Sequence, residues 1–214
     1  MRKQEKRTNR IISIVKVHIY KNIKQYAIVS IFFLIGIIAG VIFTNHAKLE
    51  TKEQIGSYIT TFIECLKTDY QIDSINLLKN VIANHIISAF LLWFMGCTII
   101  GIPIVYGLVA YRGFSLGYTI SSIIFTLGMG KGILFSLVSL LMQNLLIIPS
   151  ILALAVSGMK LYQSMIKDKR KENIKIEMLR HTIFSLFILF ILIISSIVEV
   201  YGSNSILSLC ITYF

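Results

Sequence analysis

The chain has 214 residues, of which 56% are hydrophobic and only 14% are charged, and its formal net charge is +11. Because a soluble domain carries charge on roughly a quarter of its residues, this composition excludes a soluble domain, and several uncharged apolar runs longer than about 18 residues indicate an integral membrane protein. The basic residues lie beside apolar spans, so their excess matches the positive-inside rule and an anionic inner leaflet, and it does not indicate a nucleic-acid partner.

The N-terminal segment, residues 1–26, is basic and becomes amphipathic from residue 10 onward. Ile12, Val15 and Ile19 recur at helical spacing, and lysines occupy the other side. One interpretation is an amphipathic cytoplasmic helix that lies on the inner membrane surface with its lysines toward lipid phosphates. The other is a continuous lead-in to the first span, and the sequence favours neither.

The first predicted span is 27–43. It contains Gly36 and Gly40, which form a G-x-x-x-G motif. Glycines four residues apart lie on one helix face and let a second backbone approach closely. We therefore expect a helix–helix contact at this face.

Residues 45–80 form a long polar stretch between spans, in which acidic side chains slightly outnumber basic ones. Some of its apolar residues recur at the spacing of one amphipathic helix. These residues are Ile55, Ile59, Phe62, Ile63 and Leu66. The apolar stripe of that helix lies either on the bilayer surface or a partner, or against the protein's own helices, which is the interpretation we favour.

Span two is predicted at about 85–108, within an uncharged run from residue 80 to 111 that Arg112 closes. Pro103 lies inside this span. Because a proline has no N–H to donate to the carbonyl four residues earlier, that of Ile99, we expect helix two to bend there.

Span three is predicted at 113–127, close to the lower length limit for crossing the hydrocarbon. Gly113 and Gly117 form a second G-x-x-x-G motif at its start. The glycine-rich segment 128–132 that follows is predicted to be a tight turn, with Lys131 reaching the headgroups.

Span four is predicted at 133–157, bent at Pro149, which frees the carbonyl of Leu145. Gln143 and Asn144 lie just before that bend. They either line a path for a solute or hydrogen-bond to carbonyls that the prolines free or to each other. We favour the second interpretation.

Span five is predicted at 182–200 and ends at Glu199, which completes a polytopic membrane domain over residues 27–200. An acid inside a membrane is a functional candidate because a buried charge is costly. At the outer end of a span, however, an acid is more simply explained as an anchor at the membrane surface, and we favour that role for Glu199.

The orientation follows from the basic residues. The N-terminal segment and the loop 158–181 are rich in Lys and Arg, so both are predicted to be cytoplasmic. Five spans then place the loop 45–80 and the tail 201–214 outside. Cys65 and Cys210 share that side, and whether they pair stays open.

No catalytic motif, metal-ligand spacing or cofactor-binding motif is apparent in the sequence. Five spans do not divide into two equal repeats, and an acid or base pair within the spans is not evident, which weakens a transporter interpretation. The residues alone therefore favour a non-catalytic scaffold or assembly subunit over a pore or an enzyme. A permease-like subunit of an export system is the alternative.

The segment from about residue 86 to 149 resembles the stage II sporulation protein M family of endospore-forming bacteria. The matching features are GCTIIGIPIV at 96–105, the step from Arg112-Gly113 to Gly117, MGKG at 129–132, SLVS at 136–139 and QNLLIIP at 143–149. The resemblance implies a multi-pass protein of the mother-cell membrane at the sporulation septum. It also implies a scaffold for membrane-anchored peptidoglycan hydrolases, stage II sporulation proteins D and P, during engulfment of the forespore.

Twelve residues are candidates for helix packing or for a partner interface, and none is a candidate for catalysis, a metal or a cofactor. They are Gly36, Gly40, Gly96, Gly101, Pro103, Gly113, Gly117, Gly130, Gly132, Gln143, Asn144 and Pro149. Partner spans are expected to seat on the glycine faces. The sequence leaves open whether the bundle forms a homo-oligomer.

Overall fold

The chain is almost entirely helical in the computed structural model, which describes residues 19–67, 74–98, 100–167 and 171–202. In chain order the helices are α1 Ile23–His46, α2 Leu49–Lys67, α3 Ser74–Gly96, α4 Gly101–Leu127, α5 Met129–Lys167, α6 Lys171–Ile197 and a π-helix, Val198–Gly202. Among these, all the α-helices except α2 contain a segment long and apolar enough to cross a membrane. The predicted all-helical bundle of about five spans is confirmed.

The core forms where the spans meet. Helix α1 packs mainly against α4, while α5 packs against α4 and α6, and α3 packs against α6 and α5. The most deeply buried apolar side chains include Val29, Val105, Val109, Ile147, Leu154, Val156 and Leu192. Many other large apolar side chains, such as Leu34 and Phe187, are exposed, as expected for a surface that lipid tails solvate.

The boundary between spans two and three differs from the prediction. Helix α3 ends at Gly96 and α4 begins at Gly101, so Pro103 lies in the first turn of α4 and does not bend span two. A proline is tolerated there because the N–H groups of a first helical turn have no partner within the helix. The predicted bounds 85–108 and 113–127 are therefore wrong, and span three is a full-length helix of 27 residues.

Glycines shape both turns that flank α4. A Cβ on Gly101 would overlap the carbonyl of Met95, so the turn between α3 and α4 requires a glycine. Gly128, with a φ of 82°, ends α4 in the left-handed region that favours glycine. The predicted turn at 128–132 is thus one residue long. Gly132 already lies in α5, where a Cβ would be 2.6 Å from the Cα of Ile124.

Helix α5 is longer than the predicted span 133–157. Its 39 residues extend over about 58 Å, whereas the hydrocarbon core is about 30 Å thick. Pro149 lies inside the helix, and Gly130 lies in its first turn, where a Cβ would meet no atom within 4 Å. Much of the predicted basic loop 158–181 is helical, because α5 extends into it and α6 starts within it.

Helix α2 occupies the polar stretch between spans one and two. Its Ile63 is buried against Ile123 of α4 and Phe135 of α5, with Ile59 packed beside them. Part of the apolar stripe, Ile59 and Ile63, thus folds back onto the protein's own helices as the favoured interpretation predicts, whereas Phe62 is exposed. Residues 1–18 and 203–214 lie outside the described residues, so most of the predicted N-terminal amphipathic helix and Cys210 do as well.

Candidate functional site

The two predicted glycine faces meet each other where α1 crosses α4. Gly36 and Gly40 lie against the backbone of α4, and Gly113 and Gly117 lie against the backbone of α1. A Cβ on Gly36, for example, would overlap the carbonyl of Ala110. Small residues permit this close approach of two helices inside a membrane. Both faces are therefore used within the chain, and neither is open to a partner span at this crossing.

A second close approach joins α3, α5 and α6. A Cβ on Gly96 would lie 3.0 Å from both the Cα of Gly158 and the Nε2 atom of His181. His181 is only 1% exposed. Gly96, a candidate from the sequence, thus leaves room for the ring of His181, which was not a candidate.

Hydrogen bonds satisfy both ring nitrogens of His181. Its Nδ1 atom lies 2.9 Å from Ser157 Oγ, and its Nε2 atom lies 3.4 Å from the carbonyl oxygen of Trp93. A neutral ring with its proton on Nε2 meets both contacts, since Nε2–H donates to the carbonyl and Nδ1 accepts from the serine. The indole N–H of Trp93 in turn donates to Thr182 Oγ1 at 3.2 Å.

A contact between a histidine and a glutamate lies farther along the bundle. His85 of α3 and Glu199 of the π-helix approach to 3.3 Å between Nε2 and Oε2, and their side chains are 4% and 16% exposed. The contact thus joins two elements that are distant in the sequence.

The sequence predictions for Arg112 and Glu199 require correction. Arg112 was expected to close span two at the membrane edge, but it lies within α4, 11 residues after its first residue. Glu199 was expected to be a surface anchor, but its carboxylate turns inward to His85. Counts of charge along the chain assign ionisable residues to span ends, and they do not detect a contact that such residues make within the bundle.

Asn144 and Pro149 line an apolar groove of about 610 Å³ between α4 and α5. The side-chain amide of Asn144 donates to the carbonyl of Leu140 in its own helix at 2.9 Å. As in the favoured interpretation, the amide hydrogen-bonds to a backbone carbonyl. The carbonyl is that of Leu140, however, and not that of Leu145, which Pro149 frees. The side chain of Gln143 lies outside the described side chains.

The remaining reactive groups do not converge. Within the described ranges, no group of three His, Cys, Asp or Glu side chains could hold a metal ion. Cys97 is a free thiol there. Burial raises the pKa of the Cys97 thiol in the turn between α3 and α4, so this group favours the protonated form, which is the less reactive one.

The family of the protein follows from a comparison with family models. The model described as stage II sporulation protein M matches residues 29–204, which include most of the first span, all of the other four, and both His85 and Glu199. The chain belongs to the stage II sporulation protein M family. This family and the five spans identify a multi-pass sporulation membrane protein. A search of the curated proteins and a search of the solved structures found no match to this chain.

Proposed function

We propose that this protein is a non-catalytic scaffold of the engulfment machinery in the mother-cell membrane. In this role it recruits peptidoglycan hydrolases, stage II sporulation proteins D and P, and localises them at the septal membrane. The observation that carries the proposal is the family match over residues 29–204. The extensive internal packing of the bundle supports it, because a scaffold must hold its binding surfaces in fixed positions.

Helix α2 is the surface that best suits recruitment. Its buried side is fixed to the bundle through Ile63, while its opposite side exposes Glu50, Glu53, Ser57 and Thr61. The hydrolases act on the cell wall, outside the membrane. With a cytoplasmic N-terminus, as the basic residues indicate, α2 lies on that same side and is accessible to them.

Co-purification from sporulating cells tests this proposal. The tagged protein should capture at least one of the two hydrolases from solubilised membranes. Replacing Ser57 and Thr61 with Trp should reduce the yield several-fold, because two bulky rings obstruct the exposed side of α2. A matched control places Trp at Lys24 and Lys175, which are exposed at the predicted cytoplasmic end, and should retain capture. Failure of the wild-type protein to capture either hydrolase would overturn the proposal.

The pair of His85 and Glu199 is the observation that favours the second candidate, a permease-like subunit of an export system, because ionisable residues within membranes often mark transport paths. The contact between His85 and Glu199, however, is made within the bundle, and the Asn144 amide bonds to its own helix. Loss of a sporulation-linked export activity in Asn144→Ala, with normal protein levels, would favour the second candidate over the scaffold.

A further inference from the structure

We propose that the apolar groove between α4 and α5 joins two copies of this chain within the membrane, with the Asn144 amide of each copy hydrogen-bonded to that of the other. This pairing goes beyond the scaffold role and does not depend on it. The groove of about 610 Å³ contains Asn144 and Ser136 among otherwise apolar side chains, and on α5 its lining residues extend from Ile133 to Pro149. It therefore offers polar groups as well as apolar surface to its occupant.

Asn144 lies deep in the membrane. The sequence between Lys131 and Lys160 contains no Lys, Arg, Asp or Glu, and Asn144 is 13 residues after the first of these lysines and 16 residues before the second. At 1.5 Å per residue of helix, it is about 20 Å and about 24 Å from them along α5. Because the hydrocarbon core is about 30 Å thick, Asn144 lies near its centre, where lipid tails offer no hydrogen-bond partner.

The amide of Asn144 is only partly used within the chain. One of its N–H groups donates to the carbonyl of Leu140 in the same helix. An amide has two N–H groups and an oxygen with two lone pairs, so the second N–H and the Oδ1 atom remain available to a partner. Ser136 lines the same groove, and its hydroxyl is buried without a hydrogen-bond partner among the described residues. Because an unpaired polar group in apolar surroundings costs free energy, the groove favours an occupant that can hydrogen-bond at this depth.

The α5 side of the groove has the residue spacing of a contact between two helices. Its lining residues include Ile133, Leu137, Leu140 and Asn144, which follow one another at steps of four, three and four residues. This heptad spacing allows two parallel helices to pack side by side, and a single Asn in such a contact specifies its register and the number of helices. Ile133 and Leu137 are 48% and 57% exposed, so another helix can reach them. The pattern therefore fits a helix better than a lipid tail.

A second copy of this chain supplies the matching helix. Two copies inserted in the membrane in the same orientation have parallel α5 helices, so Asn144 lies at the same depth in both. In a pair related by a two-fold axis, the same residue of each copy meets near that axis. Because an amide both donates and accepts hydrogen bonds, each Asn144 can donate an N–H to the Oδ1 atom of the other. The pairing thus provides both amides with the partners that lipid tails do not offer.

Disulfide cross-linking in native membranes tests the pairing. Two copies with different tags are produced together, each carrying Leu137→Cys in a full-length chain whose own three cysteines are replaced with serine. Oxidation should join the two tags in a band of twice the chain mass, because Leu137 is one heptad from Asn144. Phe187→Cys on α6, at a similarly exposed position, is the matched control and should give little of this band. Absence of the doubly tagged band for Leu137→Cys, as expected if lipid fills the groove, would overturn the proposal, and so would cross-linking to a different protein instead.

The role of Asn144 is tested in the same cross-linking chain. At equal amounts of protein in the membrane, Asn144→Leu should reduce the cross-linked fraction several-fold, because the side chain keeps its size but loses its hydrogen bonds. Asn144→Gln retains the amide and should preserve most of that fraction. Thr119→Val removes a hydroxyl that bonds within α4, so it should leave the fraction unchanged. If Asn144→Leu does not accumulate in membranes, Asn144→Ala replaces it, and a cross-linked fraction equal to that of the chain with Asn144 would overturn the proposal.

Discussion

At the scale of single residues, the fold depends on glycines that allow two backbones to meet. The sequence singled out Gly36, Gly40, Gly113 and Gly117 as candidate contact positions, because the G-x-x-x-G spacing places each pair on one helix face. It did not show that the two motifs contact each other. That pairing depends on how α1 and α4 cross, which no spacing within one helix encodes.

We expect Gly36→Leu to destabilise the protein strongly. The added side chain would overlap the backbone of α4, and overpacking typically costs about 1–3 kcal/mol or more. Gly107→Leu is the matched control, because Gly107 is exposed on α4 and a Cβ there meets no atom within 4 Å. Thermal unfolding of the two purified variants measures the difference, and equal Tm values would contradict the close crossing of α1 and α4.

The sequence could not identify His181, because a single histidine beside an apolar span has no distinguishing pattern. Its partners come from α3 and α5, and they are Trp93 and Ser157. The polar residues that the sequence did single out, Gln143 and Asn144, lie on α5 away from this histidine. Polar residues next to a proline were therefore a poor guide to where the buried polar contacts lie.

Trp93, the one tryptophan of the chain, reports directly on this cluster. Its indole N–H donates to Thr182, so Thr182→Val should remove the hydrogen bond and shift the emission maximum of the protein to shorter wavelength. Thr119→Val is the control, because the Thr119 hydroxyl bonds to Ser115 within α4. The emission spectra of the two variants are compared with that of the wild type, and Thr119→Val should leave the spectrum unchanged. An unchanged spectrum for Thr182→Val would contradict the contact between Trp93 and Thr182.

At the scale of helices, hydropathy predicted the number of spans but not all their boundaries. The run from residue 80 to 111 carries no charged side chain, although α3 ends within it at Gly96 and α4 begins at Gly101. Hydropathy detects such a break only through its polar residues, and the four residues between these helices are Cys, Thr and two Ile. The useful signal was Gly101 followed by Pro103, since a proline near the start of a helix marks the first turn.

Helix α2 provides an element whose attachment can be tested separately. Ile63→Ala should loosen it, because truncating a buried isoleucine costs about 2–5 kcal/mol. Phe62→Ala, at an exposed neighbouring position, should have little effect. Limited proteolysis in right-side-out vesicles measures the attachment, because protease cleaves α2 when the helix is detached from the bundle. A loss of about 1.4 kcal/mol should raise the detached fraction, and with it the cleavage rate, about tenfold. Equal cleavage rates would show that Ile63 does not hold α2 to the bundle.

At the scale of the whole molecule, composition, span count and family were predictable from the sequence, because each depends on many residues together. The contact between His85 and Glu199 was not, because these residues lie 114 positions apart along the chain and meet only in the folded bundle. Close glycine contacts and the contact of His85 with Glu199 join helices within the bundle. In the proposed function, this fixed frame presents α2 to hydrolases outside the membrane.

The location of a hydrolase in living cells tests the proposed function most directly. A fluorescent fusion of stage II sporulation protein P is followed by microscopy in sporulating cells that lack this protein, with and without a wild-type copy restored. We predict that the fusion gathers at the septum and that engulfment is completed only when the copy is present. Equal septal fluorescence and complete engulfment in both strains would contradict the account.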